Sequence, residues 1–182
     1  LAALIRHFCS SGRQLALGRG HLAQPRRGPY TRGGVFMGEA SPAAAPATGI
    51  CDLQEILKSL KPSLSTEGEV VFVTSPDLSM KDAAALDPLM MFREEEGITL
   101  ILPKATADAK GFSYDLAFRR ITLMVHSSLE AVGLTAAVAT ALKDAGLCAN
   151  VVAAYYHDHV YVPAGEADKA VAILEGLSKG VA

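Results

Sequence analysis

The chain has 182 residues and a formal net charge of −2, and half of its residues are hydrophobic. A chain of this length can bury a core in one domain or in two small ones. No apolar run approaches the roughly 20 residues that a membrane-spanning helix needs. The cysteines, Cys9, Cys51 and Cys148, form an odd and scattered set, which excludes a disulfide framework and a zinc site.

Charge is unevenly distributed along the chain. Residues 1–50 carry six arginines and one acid, Glu39, for a net charge of +5, which leaves −7 for the remaining residues. An acidic body argues against nucleic acid as a partner.

The first fifty residues are acid-poor and contain Arg, Ser, Gly and Pro, which is typical of an organelle transit peptide. This prediction places the protein in a chloroplast or a mitochondrion. The alternatives are a disordered N-terminal extension or a true start at Met37, and the protein is then cytoplasmic. A mature N-terminus before Arg13 would contradict the transit peptide.

The chain after this segment begins with a helix pattern. Asp52 is a typical helix cap, and the apolar residues after it predict a helix that ends before Pro62. The run Glu69–Thr74 predicts a strand, and Ser75–Pro88 predicts a polar loop.

A hairpin follows the polar loop. Met90–Arg93 and Ile98–Leu102 predict two strands joined by an acidic turn that ends in Gly97. A short helix over Ala105–Lys110 is closed by Gly111.

Residues 120–163 carry the clearest pattern in the chain. Ile121, Leu123 and Val125 alternate with more polar residues, which is the period of a half-buried strand. A helix is predicted from Leu134 to Ala145, and Gly146 ends it. The remaining predicted elements are a central strand within Cys148–Tyr155, a strand over His159–Val162 that pairs back on it, and a helix over Glu166–Leu177.

This element order predicts an α+β fold of two ferredoxin-like, βαββαβ-type units, with antiparallel sheets and the helices on one face. The predicted domains are residues 51–112 and 113–182, after the extension of residues 1–50. Neither half shows a closing strand of its own. We therefore predict strand exchange between the halves or between subunits.

The stretch GLTAAVATALKDAGLCANVVAAYYHDHVYVP resembles an ACT domain, through its glycine at the start of the first helix and the ALKDAGLCANV-like exit into the second strand. With EVVFVT, FREEEGITLILP and ITLMVHSSLEAVGLTAAVATAL, residues 51–180 are similar to a bacterial-type family of small tandem ACT proteins, related to the ACT repeats of eukaryotic arginine sensors. The resemblance implies sensing of a small molecule, usually an amino acid, at an interface between ACT units. The first half departs from the pattern because it lacks an obvious glycine loop.

The loop SSLEAVGLT is the candidate ligand site. Gly133 precedes a helix N-terminus, whose free N–H groups and dipole favour a carboxylate. Thr135 and the N–H groups of Gly133 and Leu134 are expected to hold the α-carboxylate of an amino acid, and Glu130 its ammonium group. Val132, which lies in the same loop, is also predicted to be a ligand-binding residue. The alternative is that Gly133 only permits a tight turn and that Glu130 is a solvated acid.

Three histidines, His126, His157 and His159, suggest a metal site as an alternative, because histidine is a common metal ligand. No Cys or Glu stands at a zinc-like spacing to complete the set. The other interpretation gives His126 and His159 polar roles toward a ligand and no metal.

The alternation along the predicted strand His159–Val162 indicates which side chains face the core. Val160 and Val162 are expected to point into the core, while His159 and Tyr161 line an interface.

Asn150 lies in an apolar strand, where a buried amide needs a partner. A ligand or the backbone of the next strand can be that partner.

Catalytic motifs of the hydrolase, zinc-protease, phosphate-loop and dinucleotide-binding kinds do not occur in the sequence. The sequence therefore predicts a regulatory protein with no catalytic activity, no metal and no cofactor, which binds an amino acid. It is expected to form a homo-oligomer and to act on a separate protein, with no nucleic acid or membrane as partner. The alternatives are a structural ACT dimer without a ligand and a small metal-binding protein.

Overall fold

The computed structural model describes the backbone of residues 4–5 and, with side chains, residues 49–180. The predictions of a transit peptide and of a start at Met37 fall mainly on residues outside this part. The described strands are β1 (Leu4–Ile5), β2 (Pro62–Leu64), β3 (Val70–Ser75), β4 (Met90–Arg93), β5 (Ile98–Pro103), β6 (Ala117–Leu123), β7 (Asn150–Ala153) and β8 (Asp158–Pro163). The described helices are α1 (Leu53–Ser59), α2 (Met80–Ala84), α3 (Lys104–Lys110), α4 (Leu134–Asp144) and α5 (Ala167–Ser178). None of these helices has the length and apolar character needed to cross a membrane.

All described strands belong to one antiparallel sheet in the order β1-β7-β8-β6-β3-β5-β4, with β2 also paired to β6. Strand β6 is shared by both halves. Its first residues, Ala117 and Phe118, pair with β3 of the first half. Its last residues pair with β2, while its other edge pairs with β8. The predicted α+β fold with antiparallel pairing is confirmed.

The predicted strand exchange is found within the chain. The start of β6 closes the sheet of the first half, and β2, which comes before the other strands of that half in sequence, closes the sheet of the second half. Helix α1, like β2, packs with the second half, because Ile56 and Leu60 are buried in one core with residues of α4 and α5. The side chain of Asp52 caps α1 by accepting the N–H of Glu55 at 2.9 Å, as predicted.

Two elements depart from the sequence prediction. The predicted polar loop Ser75–Pro88 contains α2, which begins where the Ser79 side chain accepts the N–H of Asp82 at 3.1 Å. Strand β2 was not predicted, because its three residues begin with proline and carry no periodic pattern. The strand predicted within Cys148–Tyr155 is confirmed over Asn150–Ala153 only.

Apolar side chains pack on both faces of the sheet. The helix side holds one core in each half. On the opposite side, which we call the helix-free face, Val70, Ile101, Val152 and Tyr161 form a third cluster. The ring of Phe72 packs there edge-on against those of Phe118 and Tyr161, at centroid distances of 5.2 and 5.4 Å.

The sheet curls around the helix-free face. Strands β4 and β7 are five strand spacings apart in the sheet order, which is about 24 Å in a flat sheet. Nevertheless Met90 of β4 and Val152 of β7 line the same pocket. The curl therefore brings the two halves together on this face.

Candidate functional site

The turn before α4 has the geometry of an uncapped helix start. Gly133 adopts φ 108° and ψ −17° as the N-cap residue, and α4 has no side-chain cap. The first hydrogen bond of the helix runs from Ala137 N–H to Gly133 O at 2.9 Å. Among the predicted residues, Glu130 is exposed and Thr135 is half-buried. The side chain of Leu134 is buried in the core, so that only its backbone is available to a ligand.

The segment before α1 covers one side of this turn. Ile50 N–H donates to His126 O, and Ser128 N–H donates to Ile50 O, both at 2.9 Å. The Leu53 side chain lies so close to Gly133 that a Cβ atom on residue 133 would be 2.8 Å from Leu53 Cδ2. Val132 remains 83% exposed. The turn is thus packed on the α1 side and open on the side of Val132, and the amino-acid site there stays a prediction.

The three histidines occupy separate environments. The His126 ring lies 5.5 Å from the Tyr156 ring. His157 Nδ1 is 3.3 Å from Val125 O, and His159 Nδ1 is 3.0 Å from Thr122 Oγ1. Within residues 49–180, no three His, Cys, Asp or Glu side chains are placed to hold a metal ion. The structure therefore does not assemble the histidines into the alternative metal site.

Strand β8 has the predicted orientation. Val160 and Val162 lie in the helix-side core, and Tyr161 lies in the cluster on the helix-free face. Asn150 is opposite Tyr161 in the β7–β8 pair and is half-buried. Its amide is therefore less enclosed than the sequence suggested.

A cavity of about 330 Å³ opens on the helix-free face, and we call it the helix-free pocket. Its lining residues are Leu89 and Met90 from the first half and Arg120, Leu129, Val152, Ala153, Ala154, Tyr155, His159 and Tyr161 from the second. Only His159 among them was predicted as a site residue. Sequence analysis did not predict the other lining residues, because no local sequence pattern indicates that the sheet curls.

Arg120 supplies the charge of this pocket. Its Nη2 lies 2.8 Å from Glu67 Oε2 and 3.4 Å from Ser65 Oγ. Its Nε is buried and has no hydrogen-bond partner among the described residues. An unpaired buried donor costs on the order of 1–3 kcal/mol. Nε is enclosed by protein atoms, whereas Nη1 makes no described contact and is not among the buried unpaired atoms, so that Nη1 is the donor that a ligand could reach.

Two further polar groups of the pocket, His159 and Tyr161, have pKa values that are shifted toward their neutral forms. Burial, followed by the nearby charges of Arg120 and His157, lowers the pKa of His159, while Glu67 opposes this. Burial raises the pKa of Tyr161, and Arg120 acts against that shift. Arg120 is the only cationic side chain among the lining residues and none of them is acidic, while Glu67, outside the lining, balances part of the Arg120 charge.

A curled antiparallel sheet that two ferredoxin-like units share defines a tandem α+β protein with one ferredoxin-like unit in each half. Models of the ACT domain match residues 48–119 and 118–176. A crystal structure from Vibrio cholerae, of a protein of unknown function described as a possible transport protein, is 43% identical. The similarity covers 69% of this chain and 95% of that one, with a TM-score of 0.63. The chain belongs to the ACT-domain family and carries two ACT domains in tandem.

One more distant structure has a related fold, and a weaker match follows it. A protein from Agrobacterium tumefaciens is 14% identical, with a TM-score of 0.55 over 65% of this chain and 89% of that one. The aspartokinase alpha and beta subunits are 12% identical, with a TM-score of 0.49 over 65% and 97% of the two chains. No curated protein sequence matches the chain. The predicted tandem ACT architecture and ferredoxin-like fold are confirmed, and they are consistent with a regulatory, ligand-binding role.

Proposed function

We propose that this protein is a non-catalytic regulatory protein that binds an amino acid at the turn before α4 and acts on a separate protein. The observation that carries the proposal is the start of α4 at Gly133, which has no side-chain cap and lies shortly after the exposed Glu130. Free N–H groups at a helix start favour a carboxylate, and a neighbouring carboxylate favours an ammonium group. The turn therefore offers both charges that a zwitterion requires.

The surroundings of the turn give the ligand an apolar neighbour. The Leu53 side chain packs over Gly133, so that an amino acid bound at the N–H groups would lie beside α1. Ligand binding would then act on the segment that closes the second ACT domain. We propose that a homo-oligomer presents this surface to the regulated protein.

Thermal unfolding in the presence of each of the twenty amino acids tests the proposal. A ligand that binds only the folded state raises the stability by RT ln(1 + [L]/Kd), which is about 2.7 kcal/mol at a hundredfold excess over Kd. We expect at least one amino acid to raise Tm, and we expect Glu130→Gln and Thr135→Val to reduce that rise. Glu95→Gln makes the same chemical change at an exposed acid of the β4–β5 hairpin and serves as the matched control.

Isothermal titration separates the proposal from its structural alternative. If no amino acid binds at about 10 mM, where a Kd of 1 mM is still detected, the amino-acid proposal is wrong. A purely structural ACT dimer predicts this absence of binding together with concentration-dependent association in analytical ultracentrifugation.

A further inference from the structure

We propose that the helix-free pocket is a second binding site, for a small carboxylate that carries an apolar group and no ammonium group, such as an α-oxo acid. This inference goes beyond the amino-acid site at the turn before α4 and does not depend on it. It rests on the charge, the walls and the position of the pocket.

Arg120 is the group that would hold the carboxylate. A guanidinium presents five N–H donors in a planar fork that matches a carboxylate. The described contacts of Arg120 with Glu67 and Ser65 both run through Nη2, and the nearby Tyr161 hydroxyl is also under its influence. Nε is enclosed by protein atoms, and no contact of Nη1 is described among residues 49–180. Glu67 is 44% exposed and is not among the pocket-lining residues. Arg120 is therefore fixed from one side and retains donors for a second acceptor.

The walls fit an apolar group of limited size. Leu89, Met90 and Val152 line the pocket with apolar side chains, and Leu129 adds another from the loop after β6. Water occupies about 30 Å³ per molecule in the liquid, so that a cavity of 330 Å³ takes a ligand with on the order of ten non-hydrogen atoms. Branched and aromatic α-oxo acids have this size.

The charge distribution disfavours an ammonium group. The pocket-lining residues include Arg120 and no Asp or Glu. An ammonium group two bonds from a carboxylate held by Arg120 would lie near the guanidinium and would lose water without gaining an acid. The lowered pKa of His159 keeps its ring neutral at pH 7, so that Arg120, paired on one side with Glu67, is the cationic group of the lining that an anion would meet.

The pocket also joins the two ACT domains. Leu89 and Met90 precede β6 in the chain, whereas the other lining residues lie on β6 or after it. A ligand that contacts both sets would stabilise the curled arrangement of the sheet. Binding should therefore raise Tm of the whole 49–180 region in one transition.

Isothermal titration of the full chain with pyruvate and the α-oxo acids that correspond to valine, leucine and phenylalanine tests the proposal. We expect at least one of the branched or aromatic acids to bind about tenfold more tightly than the amino acid with the same side chain. We also expect it to bind more tightly than pyruvate, which leaves most of the apolar wall uncovered, and than α-oxoglutarate, whose second carboxylate would enter the apolar part.

Variants locate the site. Arg120→Met should weaken binding of the preferred oxo acid at least about tenfold. Arg93→Met makes the same change at an exposed residue outside the pocket and should leave binding unchanged. Leu129→Glu places an acid at the mouth of the pocket, at a side chain that is 62% exposed, and should weaken anion binding even if Arg120→Met fails to fold.

The outcomes separate this inference from the proposed function. Oxo-acid binding that persists in Thr135→Val and falls in both Arg120→Met and Leu129→Glu supports a second site in the helix-free pocket. The inference is overturned if none of the oxo acids binds at about 10 mM. Equal or tighter binding of the amino acid overturns it too, as does binding that Leu129→Glu leaves unchanged. If amino-acid binding is weakened only by Glu130→Gln and Thr135→Val, the proposed function stands and the second site in the helix-free pocket does not.

Discussion

Leu53 packs against the backbone of Gly133, so that a Cβ atom at residue 133 would lie only 2.8 Å from Leu53 Cδ2. The two residues are eighty positions apart in the sequence, on α1 and at the start of α4. Gly133 also has φ 108°, a conformation that L-amino acids with a side chain rarely adopt. Two independent constraints, one of packing and one of backbone conformation, therefore favour glycine at this turn.

We expect Gly133→Ala to lower the free energy of unfolding by about 1–3 kcal/mol, because alanine must adopt an unfavourable φ and meets Leu53. Urea unfolding measures the change. Gly111→Ala is the matched control, since Gly111 has φ 72° and a Cβ there would meet nothing within 4 Å. If the contact with Leu53 contributes, the loss of unfolding free energy caused by Gly133→Ala should be smaller in a Leu53→Ala background. It should then approach the loss caused by Gly111→Ala. An unchanged cost would mean that the backbone conformation alone selects glycine.

Helix α1 should contribute strongly to the stability of the second ACT domain. Ile56 is fully buried in the core that α4 and α5 build. We expect Ile56→Ala to cost about 2–5 kcal/mol in urea unfolding, the usual range for an isoleucine truncated in a core. Lys58→Ala, at an exposed residue of the same helix, should stay within about 0.5 kcal/mol. A small effect of Ile56→Ala would contradict the assignment of α1 to that core.

His159 should make the stability fall in mildly acidic solution. Burial first, then Arg120 and His157, lower the pKa of His159 from its ordinary 6.5, and Glu67 opposes this shift. The unfolded chain therefore binds a proton near pH 6.5 while the folded chain does not. The contribution of the neutral ring is complete above pH 6.5 and is lost as the pH falls toward the lowered pKa. Urea unfolding between about pH 7.5 and about pH 5.5 should show this slope, and His159→Gln should reduce it, whereas His126→Gln controls for the loss of a histidine. Equal slopes in the His159 variant and the parent protein would contradict the prediction.

Asp158 should give a pH dependence of the opposite sign. Its side chain is only 8% exposed, and burial raises its pKa above the ordinary 3.8, against a smaller lowering by His157. The folded chain therefore holds this proton more tightly than the unfolded chain, and the corresponding stability is lost as the pH rises through the raised pKa. We expect Asp158→Asn to raise Tm at pH 7 and to remove this loss. Glu166→Gln at the start of α5 is a control for the change from acid to amide, and a lower Tm for Asp158→Asn would contradict the prediction.

Local periodicity made the helix side of the sheet predictable from sequence. The alternation of Ile121 and Leu123 and the spacing of Val138 and Leu142 report burial against the helices, and all four side chains are buried. Glycine and capping residues located α1, α3 and α4 within one or two residues. The approach of α1 to Gly133 lay beyond these patterns, because it joins segments about eighty residues apart in the sequence.

The helix-free pocket was largely unpredictable for the same reason. Arg120 stands in a strand among other polar and charged residues, and only its register opposite Tyr161 places it on the helix-free face. Met90 reaches the same pocket because the sheet curls across five strand spacings. Helix α2 did leave a local signal, Ser79 followed by Asp82 three residues later, which the surrounding prolines obscured.

The return of residues 53–64 to the second ACT domain has a consequence for connectivity. Helix α1 and the last residues of α5 line one shallow groove, so that residues 54–58 and 177–180 are neighbours in space. A linker from Gly180 to Gly49, with a new opening between β2 and β3, would give a circular permutant. In that permutant the chain would pass through the first ACT domain once and then complete the second without going back.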